Sequence, residues 1–172
     1  MDLRAYVRDI PDFPTPGILF RDITPLLLEP RALDAAVAGL AALVSALDVE
    51  LVVAAEARGF ILGAALARDL GAGFVPARKP GKLPGETVSA QYSLEYGIDA
   101  LEMHSDALAR GARVLVHDDL LATGGTAGAL CELVAGMGAE VVGCAFLVEL
   151  RPLRGRSRLA PHPVHALIGY DT

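Results

Sequence analysis

The chain has 172 residues, 53% of them hydrophobic and 21% charged, a balance that suits one substantial core and excludes a disordered chain. A formal net charge of −6 leaves no general basic face for nucleic acid or an anionic membrane, so any anionic ligand must be drawn by a local cluster. No apolar run approaches the ~20 residues that span a bilayer, and MDLRAYVRDIPDFPTPG carries acids and prolines where a signal peptide needs an apolar stretch; a cytoplasmic protein is the expectation.

In chain order, residues 30–48 place Leu33, Val37, Leu40, Val44 and Leu47 at spacings of four and three, which predicts an amphipathic helix. LVVAA (51–55) is a short continuous apolar run, as a central parallel strand requires. GFILGAALARDLG (59–71) reads as a helix ended by Gly71, and GFVPAR (73–78) as the next strand. Residues 79–85 form a Gly/Pro loop. ETVSAQYSLEYG and DALEMH read as extended, the second alternating Leu101 and Met103 against Glu102 and His104. A strand over 113–117, a helix from about Thr126 to Met137, a strand over 140–150 and an extended segment near 164–170 complete the chain.

Alternating strands and helices with short connections predict an α/β fold: a mostly parallel twisted sheet flanked by helices, in one domain over 1–172. Residues 1–30 and the last segment form a small cap in this reading. Ligands of such sheets bind at the carboxyl ends of strands, and two strand–helix junctions are equipped for it, 55–59 and 117–126. Cys131 and Cys144 lie in apolar segments without C-x-x-C spacing and read as buried hydrophobes in a reducing compartment, a disulfide being the weaker option.

At the second junction, RVLVHDDLLATGGTA sets Asp118 and Asp119 just before Thr123, Gly124, Gly125 and Thr126. The Gly-Gly turn leads into a helix, so free N–H groups and the positive helix end converge on one spot. No lysine follows the glycines and G-x-G-x-x-G is absent, so neither a P-loop nor a dinucleotide fingerprint is present. A phosphate about 8 Å from a carboxylate in solvated surroundings is repelled by only ~0.5 kcal/mol per charge pair, whereas each charge-assisted N–H bond returns roughly 1.5–3 kcal/mol. The anion therefore still binds, and the carboxylates can accept hydrogen bonds from vicinal hydroxyls and stabilise positive charge on a ring between them and the phosphate. A sugar phosphate reacting at its anomeric carbon needs both features.

The first junction, AAEARGF, supplies Arg58, and with Arg78, Lys79 and Lys82 it offers four cations on loops above one sheet edge. The chain has only two lysines among its 15 basic residues, and both sit on the Gly/Pro loop, which suits a lid over a polyanion. Two anion sites flanking a diacid match phosphoribosyl pyrophosphate.

VLVHDDLLATGGTA resembles the phosphoribosyl-pyrophosphate motif of the type I phosphoribosyltransferases. DFPTPGILFRDITPLL, EARGFILGAALA, VPARKPGKLPGET, YSLEYG and VVGCAFLVEL extend the resemblance from about residue 10 to the end, toward the members that act on adenine. The resemblance implies transfer of a 5-phosphoribosyl group to adenine, giving AMP and pyrophosphate in purine salvage. Ala122, Thr123, Gly124, Gly125 and Thr126 would hold the 5′-phosphate, and Asp118 and Asp119 the ribose hydroxyls, directly or with Mg²⁺ carried by the substrate. Arg58, Arg78, Lys79 and Lys82 would contact pyrophosphate, and Glu56–Ala57 is a candidate non-proline cis peptide.

By the same resemblance, residues 1–30 would read the base, with adenine near Phe20 and Leu121 and the backbone of Leu19 and Arg21 at its edge. Residues 79–100 would be a mobile loop region in which Glu95 handles the purine proton beside Tyr96. A homodimer is implied, with no nucleic acid or membrane partner. Relatives acting on 6-oxopurines read the oxo group with a lysine after the phosphate helix; this chain has none beyond residue 82, although Arg151 is a conceivable substitute.

His117 fills a strand position that is usually aliphatic in the family it resembles, and a hydrogen-bonded core histidine is the preferred reading over a pKa-tuning role. Glu56 is assigned no chemistry. His162 and His165 lack further ligands for a metal, and LRGRSR (153–158) reads as a solvated turn or subunit contact.

Overall fold

A computed structural model describes residues 1–94 and 97–171. A 3₁₀ turn over Leu3–Tyr6 precedes β1 (Arg8–Pro11) and β2 (Leu19–Asp22), which pair as an antiparallel ribbon. Then follow α1 (Thr24–Leu28), α2 (Pro30–Val44), β3 (Leu51–Ala55), α3 (Arg58–Leu70) and β4 (Gly73–Ala77). The antiparallel hairpin strands β5 (Thr87–Leu94) and β6 (Gly97–His104) come next, then β7 (Arg113–Leu121), α4 (Gly125–Gly136) and β8 (Glu140–Leu150). A 3₁₀ turn at Arg151–Leu153, α5 (Gly155–Leu159) and β9 (Val164–Tyr170) close the described chain.

The central sheet has the order β4-β3-β7-β8-β9, and every pairing in it is parallel. The apolar runs explain this, because β3 and β8 are buried along most of their length and suit positions covered on both faces. On one face α4 and the β5–β6 hairpin cover Val53, Val114, Val116 and Phe146. On the other, α2 and α3 bring Leu40, Val44, Leu62 and Leu66 against the sheet. Burial of one such Leu or Phe side chain contributes roughly 1.5–3 kcal/mol.

Helix boundaries follow local chemistry. Glu29 caps α2 by accepting from the Arg31 amide at 3.3 Å, ahead of Pro30 in the first turn. Gly71, at φ +67°, ends α3 by donating to Arg68, as expected from its position in the sequence. Leu101 and Met103 are buried while Glu102 and His104 are not, as the alternation predicted.

Two elements differ from expectation. The strand expected to stop at 117 runs on to Leu121, because the 11-residue β8 supplies ladder partners as far as Glu149. The helix expected over 30–48 ends at Val44 in a turn closed by the Leu47 amide on Val44. The first difference places both aspartates inside a strand, in a rigid setting. No described helix is long and apolar enough to cross a membrane. Cys131 and Cys144 are free and buried, with sulfurs 3.7 Å apart.

Candidate active site

After Leu121 the chain turns through Ala122, Thr123 and Gly124 into α4. Gly124 has φ +80°, and a Cβ there would stand 2.7 Å from the Gly155 carbonyl oxygen of α5, so only glycine fits. The first amides of this 12-residue helix have no partner within it. The cavity at its start, about 70 Å³, is lined by Asp118 and residues 120–127. A small anion there meets both free donors and the positive helix end.

A second cavity of about 420 Å³ adjoins the first, since Asp118 and Thr126 line both. It is bounded by Arg58, Lys79, Tyr92 and the two aspartates. Asp119 is 3% exposed, with Oδ2 2.9 Å from Arg58 Nε. Asp118 accepts from the Asp119 amide at 2.9 Å. Burial pushes both carboxyls above the ordinary range; the Asp119 charge raises Asp118 further, and Arg58 opposes the shift at both. Gly59 lets α3 start against the pair, because a Cβ there would lie 2.8 Å from Asp118 Oδ1.

The opposite wall gathers the cations. Glu56–Ala57 is a cis peptide, as the resemblance implied. Glu56, assigned no chemistry from the sequence, organises this wall. Its Oε1 accepts from the Lys79 amide at 2.6 Å, and Arg78 Nη2 donates to its Oε2 at 3.3 Å. The Lys79 amide and then Arg78 hold its carboxyl below the usual range, against the effect of burial. Lys79 Nζ is bonded to Asp99, and to Tyr92 Oη at 3.2 Å. Lys82 is exposed and makes no ion pair among the described residues. The structure thus brings Arg58, Arg78 and Lys79 to one cleft, each on a carboxylate, with Lys82 beside them. Asp99 lies outside every motif, and Tyr92, the first residue of YSLEYG, was given no role; their place follows from hairpin pairing, which sets Tyr92 opposite Asp99.

The ribbon supplies the third wall. The Arg58 guanidinium lies 5.0 Å from the Phe20 ring centroid, and Phe13 packs edge-on against Phe20 at 5.1 Å. Leu19 and Arg21 flank Phe20 on β2, and alternate residues turn their backbone groups to the same edge. Among the described residues β2 pairs only with β1, which leaves it one edge without a strand partner there. The Arg21 side chain is buried, stacked 3.9 Å from the Tyr170 ring centroid and 2.5 Å from Asp9.

Leu121 is not brought to this wall. It is 1% exposed and packed in the core with Ala127, Leu130 and Leu159. Leu120 instead packs with the Ile23, Leu26, Leu147 and Val148 cluster below the ribbon. Extension of β7 beyond 117 decides which leucine faces which layer.

His117 is a fully buried core residue, as expected, and its polar contact is with the Ala145 backbone. Neither ring nitrogen has a well-formed partner, and burial lowers its pKa to about 4 with only weak opposition from the Ala145 backbone. The basic run 153–158 is more than a solvated turn: Arg156 grips the 3%-exposed Glu149 through two bonds of 2.6 and 2.8 Å, holding α5 behind the glycine loop. Glu95 and Tyr96 lie outside the described residues. No group of three or more His, Cys, Asp or Glu side chains converges among the described residues.

Such a cleft, on a parallel sheet with a ribbon above it, defines a class. The phosphoribosyl transferase domain family matches residues 27–164, and the chain belongs to that family. Within it, the chain is similar to proteins named adenine phosphoribosyltransferase. That of Thermotoga neapolitana is 58% identical over 170 residues, 99% of this chain and 100% of the relative. The crystal structure from Thermoanaerobacter pseudethanolicus superposes with a TM-score of 0.96 at 48% identity, covering 98% of each chain. The Saccharomyces cerevisiae protein, solved with adenine and an imino-altritol bisphosphate, gives 0.91 at 39%, covering 96% of each.

Proposed function

We propose that this chain transfers the 5-phosphoribosyl group of phosphoribosyl pyrophosphate to adenine, forming AMP and pyrophosphate for purine salvage. The carrying observation is the contiguity of the two cavities: an anion-sized pocket at the start of α4 opens, across Asp118, into a larger cleft walled by cations. That is the layout of a sugar with phosphate at one end and pyrophosphate at the other. Similarity to adenine phosphoribosyltransferases over nearly the whole chain supports the base.

The amides of residues 122–126 anchor the 5′-phosphate, so the ribose lies across Asp118 and Asp119. These accept hydrogen bonds from its hydroxyls and stabilise the positive charge that develops as the anomeric carbon–oxygen bond breaks. Arg58, Arg78, Lys79 and Lys82 receive the departing pyrophosphate. Phe20 and Leu120 bracket the base, the backbone of Leu19 and Arg21 reads its edge, and Glu95, with Tyr96 beside it, takes the purine proton. Binding aligns the attacking nitrogen with the anomeric carbon, which supplies most of the rate.

Mg²⁺ fits this donor set as an ion borne by the substrate's oxygens: the protein adds two hard carboxylates, one already paired with Arg58. When bound, it would neutralise pyrophosphate charge beside Asp118 and Asp119. Exposed Phe13, Ile18 and Ile61 support a homodimer, and a single cytoplasmic catalytic domain completes the reading.

The test is incubation of the pure protein with phosphoribosyl pyrophosphate, Mg²⁺ and adenine, hypoxanthine or guanine in turn. AMP from adenine alone is expected. Product from a 6-oxopurine would reassign the base, and binding without product would make the chain a sensor.

A further inference from the structure

Arg58 and Lys79 line the cleft, Arg78 stands behind its Glu56, and each of the three has a carboxylate. Arg58 has Asp119, inside β7, and Arg78 has Glu56, which directly follows β3, so both carboxylates are held by the central sheet. Lys79 differs. Its partner Asp99 lies on β6, in the hairpin, and Tyr92 Oη on β5 donates to the same Asp99 oxygen at 3.1 Å while bonding Lys79 at 3.2 Å. Among the described residues, the other Asp99 oxygen accepts only the adjoining Ala100 amide, at 2.8 Å.

Both side chains of this pair keep solvent access, 40% at Lys79 and 26% at Asp99, so the bond between them can exchange. Lys79 and Tyr92 line the cleft. The Lys79 backbone is fixed independently by its amide bond to Glu56, so the amine need only change partners. An anion entering this end must compete with Asp99 for the amine and feel its charge at short range.

We propose that Asp99 is the displaceable counter-anion of Lys79, setting how loosely the cleft holds pyrophosphate. This rests on the proposed phosphoribosyl transfer and deepens it: Asp99 is a positioning residue that weakens one product so that it leaves. A neutral side chain there should tighten pyrophosphate while leaving AMP, bound at the other end, unchanged.

The experiment is titration of the full-length protein with inorganic pyrophosphate and Mg²⁺, and separately with AMP, for wild type, Asp99→Asn, Lys79→Met and the double variant. Removing one half-exposed, charge-assisted competitor predicts about 3- to 30-fold tighter pyrophosphate binding in Asp99→Asn. AMP affinity should stay within about twofold, and the tightening should vanish on the Lys79→Met background. A purely structural role would weaken both ligands and lower the melting temperature instead. Should Asp99→Asn melt early, Asp99→Ser provides the same measurement. An active wild type whose Asp99 variants bind pyrophosphate no more tightly, or tighten equally without Lys79, overturns the role alone. A wild type that neither binds pyrophosphate nor makes AMP overturns the assigned reaction as well.

Discussion

The two strand–helix junctions present their hydrogen-bond donors by opposite means. At β7–α4 the donors are backbone amides, held by a glycine that must be glycine and backed by α5. At β3–α3 and on the loop after β4 beside it they are the long side chains of Arg58, Arg78 and Lys79, each paired with an acid. The first site is preorganised and reorganises little on binding. The second must break ion pairs, which costs affinity but suits a group that has to depart. In the proposed reaction the junction that keeps its ligand is the rigid one, and the junction that releases its ligand is the exchangeable one.

The largest expected effect tests the rigid junction. Gly124→Val sets a branched side chain at φ +80° with a Cβ about 2.7 Å from the Gly155 carbonyl oxygen, so the loop must move. Turnover should fall by about 1,000-fold through lost alignment. AMP binding should collapse with it, while inorganic pyrophosphate binding, made at the other junction, stays within about threefold. Parallel loss of both, measured by calorimetry, would mean the two ends are not separate sites.

The diacid between them is the next point to break. Asp119→Asn should lower turnover by about 100-fold and weaken AMP by much less, because its charge matters most as the ring turns cationic. Folded pKa values raised by burial mean that the ionised pair costs stability at neutral pH, a cost that disappears as pH falls through those values. The variant should therefore melt no lower than wild type. The acid limb of the wild-type rate profile should lie above the ordinary carboxylate value of 3.8. A variant that loses turnover and AMP affinity equally would remove Asp119 from the transition state.

The same contrast governs how much the sequence reveals. The glycine turn, the paired acids and the helix start are consecutive residues, so chemistry and place are written in one motif. The cation wall is assembled from residues 56, 78, 79, 92 and 99, on separate strands and loops. Its cations could be picked out by charge and loop composition, but Glu56, Asp99 and Tyr92 needed the sheet order and the hairpin register. Leu121 shows the limit of a motif read without its strand: expected beside the base, it packs in the core while Leu120 turns to the opposite layer, because the end of β7 depends on the length of β8. The ribbon was legible as a cap, yet its hold on Tyr170 joins opposite ends of the chain.

His117 tests the packing that both junctions share, since it sits on β7 just before the acids. With its pKa lowered to about 4, the folded protein resists protonation that the unfolded chain accepts near 6.5, so stability falls as pH drops through that window. The loss approaches about 3 kcal/mol at the lower end. His117→Leu should abolish this slope in urea unfolding between pH 7 and pH 4, with neutral-pH stability equal or higher because a buried imidazole without a well-formed partner is gone. A slope that survives would place the titrating group elsewhere.

The smallest expected effect falls on Glu56, where the exchangeable wall meets the sheet. Its depressed pKa means that it stabilises the fold above the unfolded value near 4.5, an advantage lost as pH falls through the lower folded value. Glu56→Gln keeps an acceptor for the Lys79 amide but loses the charge that restrains Arg78. With no charge to hold it, Arg78 gains freedom that a pyrophosphoryl group must take away again, while one competitor for its guanidinium also disappears. Ordering cost and lost competition oppose each other, and for half-exposed groups each is about 1 kcal/mol or less. KM for phosphoribosyl pyrophosphate should therefore change by no more than about threefold, against the larger tightening expected at Asp99, where the backbone anchor of the lysine survives. A tenfold gain in Glu56→Gln would show that Arg78, rather than Lys79, carries the competition that loosens this end.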